Sequence, residues 1–115
     1  MIFLNLYFGL FYRNNNKFYS GKNKNNAYIY VVKNITMYTG PLCNFCDAAK
    51  RLLLRNNLKF DEIDISTKSG LIDEMIKKAN GKRTIPQIFF DDQHVGGYQE
   101  LRALEKDNKL KDKLK

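Results

Sequence analysis

From residue 34 onward the chain alternates between short apolar blocks and polar punctuation. Tyr30–Val32 and Ile35–Tyr38 are rich in β-formers, and the second run ends at the turn signal Thr39-Gly40-Pro41. Phe45, Ala48, Ala49, Leu52 and Leu53 then recur at helical spacing, which predicts a helix over about Asn44–Asn56. Phe60–Ile65 reads as a second strand. Ser66 to Ser69 offers caps for a helix over about Gly70–Ala79, with Leu71, Met75 and Ile76 inward and Asn80-Gly81 as its stop. Gln87–Phe90 and Gln93–Val95 predict two strands joined tightly at Asp91-Asp92, followed by a turn at Gly96-Gly97. A last helix is expected over Tyr98–Lys106, with Leu110 and Leu114 continuing an amphipathic tail.

The predicted order is β-α-β-α-β-β-α. The first two strands are joined through a helix and should be parallel, while the last two form an antiparallel hairpin. An α/β domain follows: a four-stranded mixed sheet flanked by helices, the thioredoxin-like architecture.

Residues 1–33 are different material. They hold five Lys/Arg and no acid, whereas residues 34–115 hold fifteen Lys/Arg and all twelve acids. The apolar opening, Ile2–Tyr12, is shorter than the roughly 20 residues a bilayer span needs. It lacks a basic stretch before it and a small-residue cleavage site after it, as a secretory signal would require. A mitochondrial transit peptide would also lack acids, but Arg13 and Ser20 are the segment's sole arginine and serine. We expect residues 1–33 to be a low-complexity, disordered leader, or an extension upstream of a true start near Val31 or Val32. Residues 34–115 are expected to be the folded domain.

The formal charge is +8, but in residues 34–115 the charges of both signs are interspersed, as on a solvated surface. No Arg-rich stripe or base-stacking repeat accompanies them, so a nucleic-acid partner is not expected.

The two cysteines, Cys43 and Cys46, stand three positions apart. A secreted disulfide scaffold would spread four or more along the chain, so a reducing compartment is expected. Cys43 falls at the start of a predicted helix, where free N–H groups and the positive end of the dipole favour a thiolate. At an ordinary pKa near 8.5 about 3% of a thiol is ionised at pH 7; a fall of two units makes it about three-quarters. Cys46, one turn on, is placed to attack a mixed disulfide as the resolving thiol. Half of a zinc site is the metal reading of the same pair, yet no second Cys/His pair exists and His94 is the sole histidine.

Two further elements stand downstream. Thr84-Ile85-Pro86 precedes a strand; a cis bond there would turn the Ile85 N–H and C=O toward an extended ligand, and a plain strand-initiating proline is the alternative. Gly96-Gly97-Tyr98-Gln99-Glu100 allows close backbone approach at a helix start that can receive a carboxylate, with Glu100 available for an ammonium group; a bare turn is the alternative.

These three elements in this order, with Tyr38-Thr39 before the cysteines, Gly81 to Phe89 around Pro86, and His94-Val95-Gly96-Gly97, resemble the glutaredoxin family, especially its small bacterial glutaredoxin 3 type. The resemblance covers about residues 34–115. It implies a glutathione-dependent thiol–disulfide oxidoreductase with Cys43 as nucleophile and Cys46 as resolving cysteine. Glutathione, as co-substrate, would contact Phe45, Arg83, Thr84, Ile85, a cis Pro86, and Gly97, Tyr98, Gln99 and Glu100. The implied partners are disulfide-containing or glutathionylated proteins, with glutathione reductase acting indirectly. The implied state is a cytoplasmic monomer without a membrane span, or a mitochondrial one if the source is eukaryotic.

The sequence departs from the family pattern in three places. Gly40 stands where a Lys or Arg is common, and Lys82 or Arg83 is the candidate substitute. Cys43-Asn44-Phe45-Cys46 replaces Cys-Pro-Tyr-Cys. Without the proline, a [2Fe–2S] cluster shared by two subunits through Cys43 and glutathione becomes an alternative function. Gly-Gly-Tyr-Gln-Glu replaces Gly-Gly-Cys-Asp-Asp. A thioredoxin-like reductase recycled by a flavoprotein is the third reading. His94 is expected to be a surface or structural residue on the hairpin, away from the chemistry.

Overall fold

The computed structural model describes residues 33–115 and, upstream of them, the backbone of two short strands, β1 (Gly21–Lys22) and β2 (Tyr28–Ile29), paired antiparallel. The rest of the expected leader, with Tyr30–Val32, lies outside the described residues. The remaining elements are β3 (Ile35–Thr39), α1 (Asn44–Arg55), β4 (Asp61–Asp64), α2 (Leu71–Lys78), β5 (Gln87–Phe90), β6 (Gln93–Gly96), α3 (Tyr98–Lys106) and α4 (Leu110–Leu114). The main sheet has the order β4-β3-β5-β6, with β3 parallel to β4 and antiparallel to β5, and β5 antiparallel to β6. This is the thioredoxin-like fold that the element order implied.

The period-2 alternation of the two central strands divides the core. Ile35, Met37, Ile88 and Phe90 face one side and pack with Ala49, Leu52 and Leu53 of α1, Leu101 of α3, and Leu110 and Leu114 of α4. Tyr38 and Phe89 face the other side and pack with Met75 and Ala79 at α2. All four residues of β5 are buried, as a strand covered on both faces requires. Each fully buried large side chain of this set contributes roughly 1.5–3 kcal/mol relative to exposure.

One local expectation needs correction. The serine run Ser66–Ser69 does not cap α2. Gly70 occupies the N-cap with φ 90°, in the left-handed region, and supplies no side-chain bond. Ser66 instead donates both its N–H and its hydroxyl to Asp64 Oδ1 (2.8 and 2.6 Å), which pulls that carboxyl below its ordinary pKa. The amphipathic tail expected at Leu110 and Leu114 is a separate short helix after α3. Asn108, at φ 59°, breaks the chain direction, and α4 folds back so that Leu110 and Leu114 are buried. Lys33 N–H donates to the Leu114 carbonyl (2.8 Å), closing the first described residue of the domain onto its last helix.

α1 and α3 are clasped by one ion pair. Arg55 donates to both oxygens of Glu105 (2.9 and 2.6 Å), and Asn56 donates to the same carboxylate (2.7 Å). This fork geometry holds the Glu105 carboxyl at a pKa of about 2, chiefly through the Arg55 hydrogen bonds.

Candidate active site

The site begins where β3 ends. Beneath the turn, Thr39 donates to Glu62 (2.6 Å) and Lys50 of α1 pairs with the same oxygen (2.6 Å); both hold the Glu62 carboxyl below its usual range, Lys50 more strongly. The chain then passes Gly40-Pro41-Leu42, with Leu42 at φ 53° and fully exposed, and delivers Cys43 as the N-cap of α1. The Cys43 carbonyl accepts from Asp47 N–H (3.2 Å), and its sulfur accepts from Cys46 N–H (3.1 Å). The second bond aims a backbone N–H of the helix start at the sulfur.

Cys43 and Cys46 are joined by a disulfide, with Cα atoms 5.2 Å apart. Cys43 is half-buried, whereas Cys46 is 1% exposed. Of the two sulfurs, an external disulfide can therefore approach Cys43 more readily than Cys46. Among the described residues, no three His, Cys, Asp or Glu side chains converge on a metal-sized site. An iron–sulfur cluster would therefore find one accessible thiolate per chain, from Cys43, and would have to draw its other ligands from outside.

The Ile85–Pro86 peptide is cis, and the Ile85 carbonyl oxygen lies 3.8 Å from Cys43 Sγ. Thr84 is exposed, Ile85 half-buried and Pro86 buried. The third element closes on the first two. The Phe45 and Tyr98 rings stack at 5.8 Å, linking the start of α1 to the start of α3. A Cβ on Gly97 would sit 3.3 Å from the Pro86 carbonyl oxygen, so the glycine lets the α3 start approach the cis-proline turn. Gln99 is exposed.

Glu100 has a job the sequence did not reveal. Its Oε1 accepts from Gly97 N–H (2.7 Å), folding the side chain over Gly96 as the reciprocal half of a capping box. Gly96 has φ 126°, and a Cβ there would meet Glu100 Cγ and Oε1 at 2.8 Å. The Glu100 carboxylate thus takes up one N–H at this helix start, that of Gly97.

Gly40 has a physical counterpart as well. A Cβ at this position would lie 2.8 Å from Ile85 Cδ1. The Ile85 side chain fills the place from which a basic side chain would leave the backbone. Lys82 and Arg83 are exposed, and Arg83 makes no hydrogen bond or ion pair among the described residues.

Gln87 was missed as a site residue, and His94 as its partner. Gln87 Nε2 donates to the Thr84 carbonyl oxygen (2.9 Å) and hydroxyl (3.1 Å), and Gln87 Oε1 is 2.7 Å from His94 Nε2. His94 lies on the hairpin, as expected, but half-buried. Burial lowers its pKa; the Glu100 carboxylate opposes this, and Lys82 adds to it. A polar residue at the inward phase of a strand, Gln87, was the available signal.

The family model for glutaredoxin matches residues 35–95. Glutaredoxin 1 of Rickettsia prowazekii is 44% identical over 85 residues, which cover 73% of this chain and 88% of the relative. Glutaredoxin 3 of Escherichia coli is 42% identical over 72 residues, covering 63% and 86%. The solution structure of a glutaredoxin from Brucella melitensis superposes with a TM-score of 0.65 at 43% identity, covering 73% of this chain and 90% of that one.

Proposed function

Because this chain belongs to the glutaredoxin family, we propose that it reduces protein disulfides and glutathione mixed disulfides, with glutathione as the electron donor. The observation that carries the reading is the Cys43 sulfur itself, held 3.1 Å from a helix N–H and 3.8 Å from the Ile85 carbonyl of the cis-proline turn.

In the reduced protein the Cys43 thiolate attacks one sulfur of a client disulfide, forming a mixed disulfide and releasing the other client sulfur as a thiolate. Cys46 gives up its proton, attacks Cys43 Sγ, and expels the second client thiolate. The client has gained two electrons and the protein has lost two, ending as the Cys43–Cys46 disulfide. Two glutathione thiols then reverse the change and leave as glutathione disulfide. With a glutathionylated client, the Cys43 thiolate attacks the glutathione sulfur and expels the client thiolate; a second glutathione thiolate attacks the same sulfur, leaves as glutathione disulfide, and returns Cys43 as a thiolate without Cys46.

For binding, an extended glutathione would pair its backbone with Ile85 beside Cys43, between Thr84 and the Phe45–Tyr98 wall. Its γ-glutamyl end would lie toward Gly97, Tyr98 and Gln99. Glu100 enters this scheme through the capping bond at Gly97, with its second oxygen left for the ammonium. Arg83 or Lys82 would attract the glycine carboxylate in place of the basic residue missing at Gly40. Such chemistry belongs in a reducing compartment such as the cytoplasm. No helix among the described residues is long and apolar enough to cross a membrane.

The test is a coupled assay with glutathione, glutathione reductase and a mixed-disulfide substrate, followed through nicotinamide oxidation. Turnover that depends on Cys43 is expected. Folded protein that fails to turn over with glutathione, but does so with a flavoprotein reductase, overturns the reading in favour of a thioredoxin-like reductase.

A further inference from the structure

One polar chain runs from the end of α2 to the turn before Pro86, and the reaction scheme above leaves it unused. Gln87 is 2% exposed, and both ends of its amide are committed. Its Nε2 makes the two bonds to Thr84, so its oxygen is the acceptor for His94. His94 Nε2 must then carry the proton, which leaves Nδ1 to accept from Asn80 Nδ2 at 3.3 Å. The ring rests on Phe89, 5.1 Å between centroids.

The sheet register explains how His94 reaches Gln87. Phe89 pairs with His94 but Ile88 pairs with Gly96, so Val95 is an extra residue in β6, a β-bulge. His94 stands on the face shared by Phe89 and Gln87, and the bulge takes up the residue that separates it from Gly96.

We propose that Gln87 and His94 are positioning residues that fix the Thr84 peptide, so that the Ile85 backbone is presented in one orientation to the extended tripeptide of glutathione. The proposal rests on the glutathione reading above and deepens it. Thr84 is exposed and stands two residues before the cis proline; left to itself it would sample several orientations. Ordering it in the free protein removes that cost from the binding step. The relay contacts neither sulfur, so it acts on substrate binding and not on the cysteine chemistry.

The test compares His94→Asn, His94→Gln and Gln87→Leu. The Nε2 of a glutamine side chain takes the place of the histidine Nε2, whereas asparagine reaches only as far as Nδ1. With a glutathionylated peptide as substrate, His94→Asn and Gln87→Leu should raise KM about three- to ten-fold, the effect of one or two lost hydrogen bonds. Their kcat should stay within two-fold, and the rate of Cys43 alkylation should not change. His94→Gln should return KM to near the wild-type value. A KM unchanged in folded His94→Asn, or equal KM values for the Asn and Gln variants, overturns the proposal. So does a loss of kcat in step with the folded fraction, which marks a purely structural role.

Backbone order parameters at Thr84 and Ile85 supply a readout that needs no glutathione. They should fall in His94→Asn and recover in His94→Gln, and equal values in all forms sink the proposal. If the wild-type protein shows no turnover with glutathione, the parent reading fails, and these order parameters still decide whether the relay fixes Thr84.

Discussion

Replacing Gly96 by alanine should be among the most damaging single-methyl changes available to this domain. Two costs act together. The first is conformational: φ at this position is 126°, a region L-residues rarely adopt, and forcing one there costs roughly 1–3 kcal/mol. The second is steric: the new Cβ would fall 2.8 Å from Glu100 Cγ and Oε1, and the side chain must leave. Its departure strips Gly97 N–H of its acceptor, a lost cap costing about 1 kcal/mol. The combined loss of roughly 2–4 kcal/mol corresponds to a fall in Tm of roughly 10–20 °C for a domain of this size. Thermal melts followed by circular dichroism measure it directly. Glu100→Ala alone should lose only about 1 kcal/mol. In the double variant the clash is already absent, so the two losses should add to less than their sum. A Gly96→Ala protein melting within about 3 °C of the parent would refute the reasoning, because neither the backbone strain nor the clash could then be real.

Cys46→Ser should retain reduction of glutathionylated substrates while losing at least about ten-fold on intramolecular protein disulfides, since the internal attack on the mixed disulfide is gone; parallel assays on the two substrate types check it. Arg83→Ala should raise the Cys43 pKa, read from the pH dependence of iodoacetamide alkylation, and an unchanged value removes Arg83 as the replacement for the base absent at Gly40. The Arg55–Glu105 clasp gives a pH signature with a definite sign. The folded Glu105 pKa, about 2, lies below its ordinary 4.5, so its contribution is fully present above pH 4.5 and is lost as pH falls toward 2. The stability gap between wild type and Glu105→Gln in urea melts should therefore be open at pH 6 and narrow by pH 2.5; a gap independent of pH would remove the clasp as its cause.

Much of this molecule was readable because its signals are local. The apolar spacing of Phe45, Ala48, Ala49, Leu52 and Leu53 describes α1 without reference to anything else, and the hairpin around Asp91-Asp92 announces itself through strand periodicity. Where reading failed, a competing partner had overridden a preference of residue type. Ser66 is a competent cap by type, yet the Asp64 carboxylate, two residues back, claims it. The spacing of Leu110 and Leu114 was legible as an amphipathic tail, but not that Asn108, at φ 59°, would set it apart from α3 as a separate helix. In the site, Cys43 at a helix start was plain, because the turn before it and the apolar period after it lie side by side in sequence. The occupation of Gly97 N–H by Glu100 was hidden within an ordinary-looking five-residue run. Gln87 and His94, seven positions apart, meet because the hairpin register sets His94 opposite Phe89, whose same-face neighbour on β5 is Gln87, and that register is a property of the pairing, not of either residue.

The hydrogen bond from Lys33 to Leu114 bears on how the domain can be rewired. The residue that leads into β3 and the last residue of α4 are touching neighbours, 2.8 Å apart between nitrogen and oxygen. In a variant made of residues 33–115, a linker of a few residues could join Lys115 back to Lys33, and new ends could be opened at the exposed hairpin tip after Asp92, far along the chain from both cysteines. Such a permuted variant would carry the elements from β3 to α4 while changing the order in which they are synthesised. A fusion partner attached directly after Leu114, by contrast, would press on the junction where the entry to β3 and the end of α4 are stitched together.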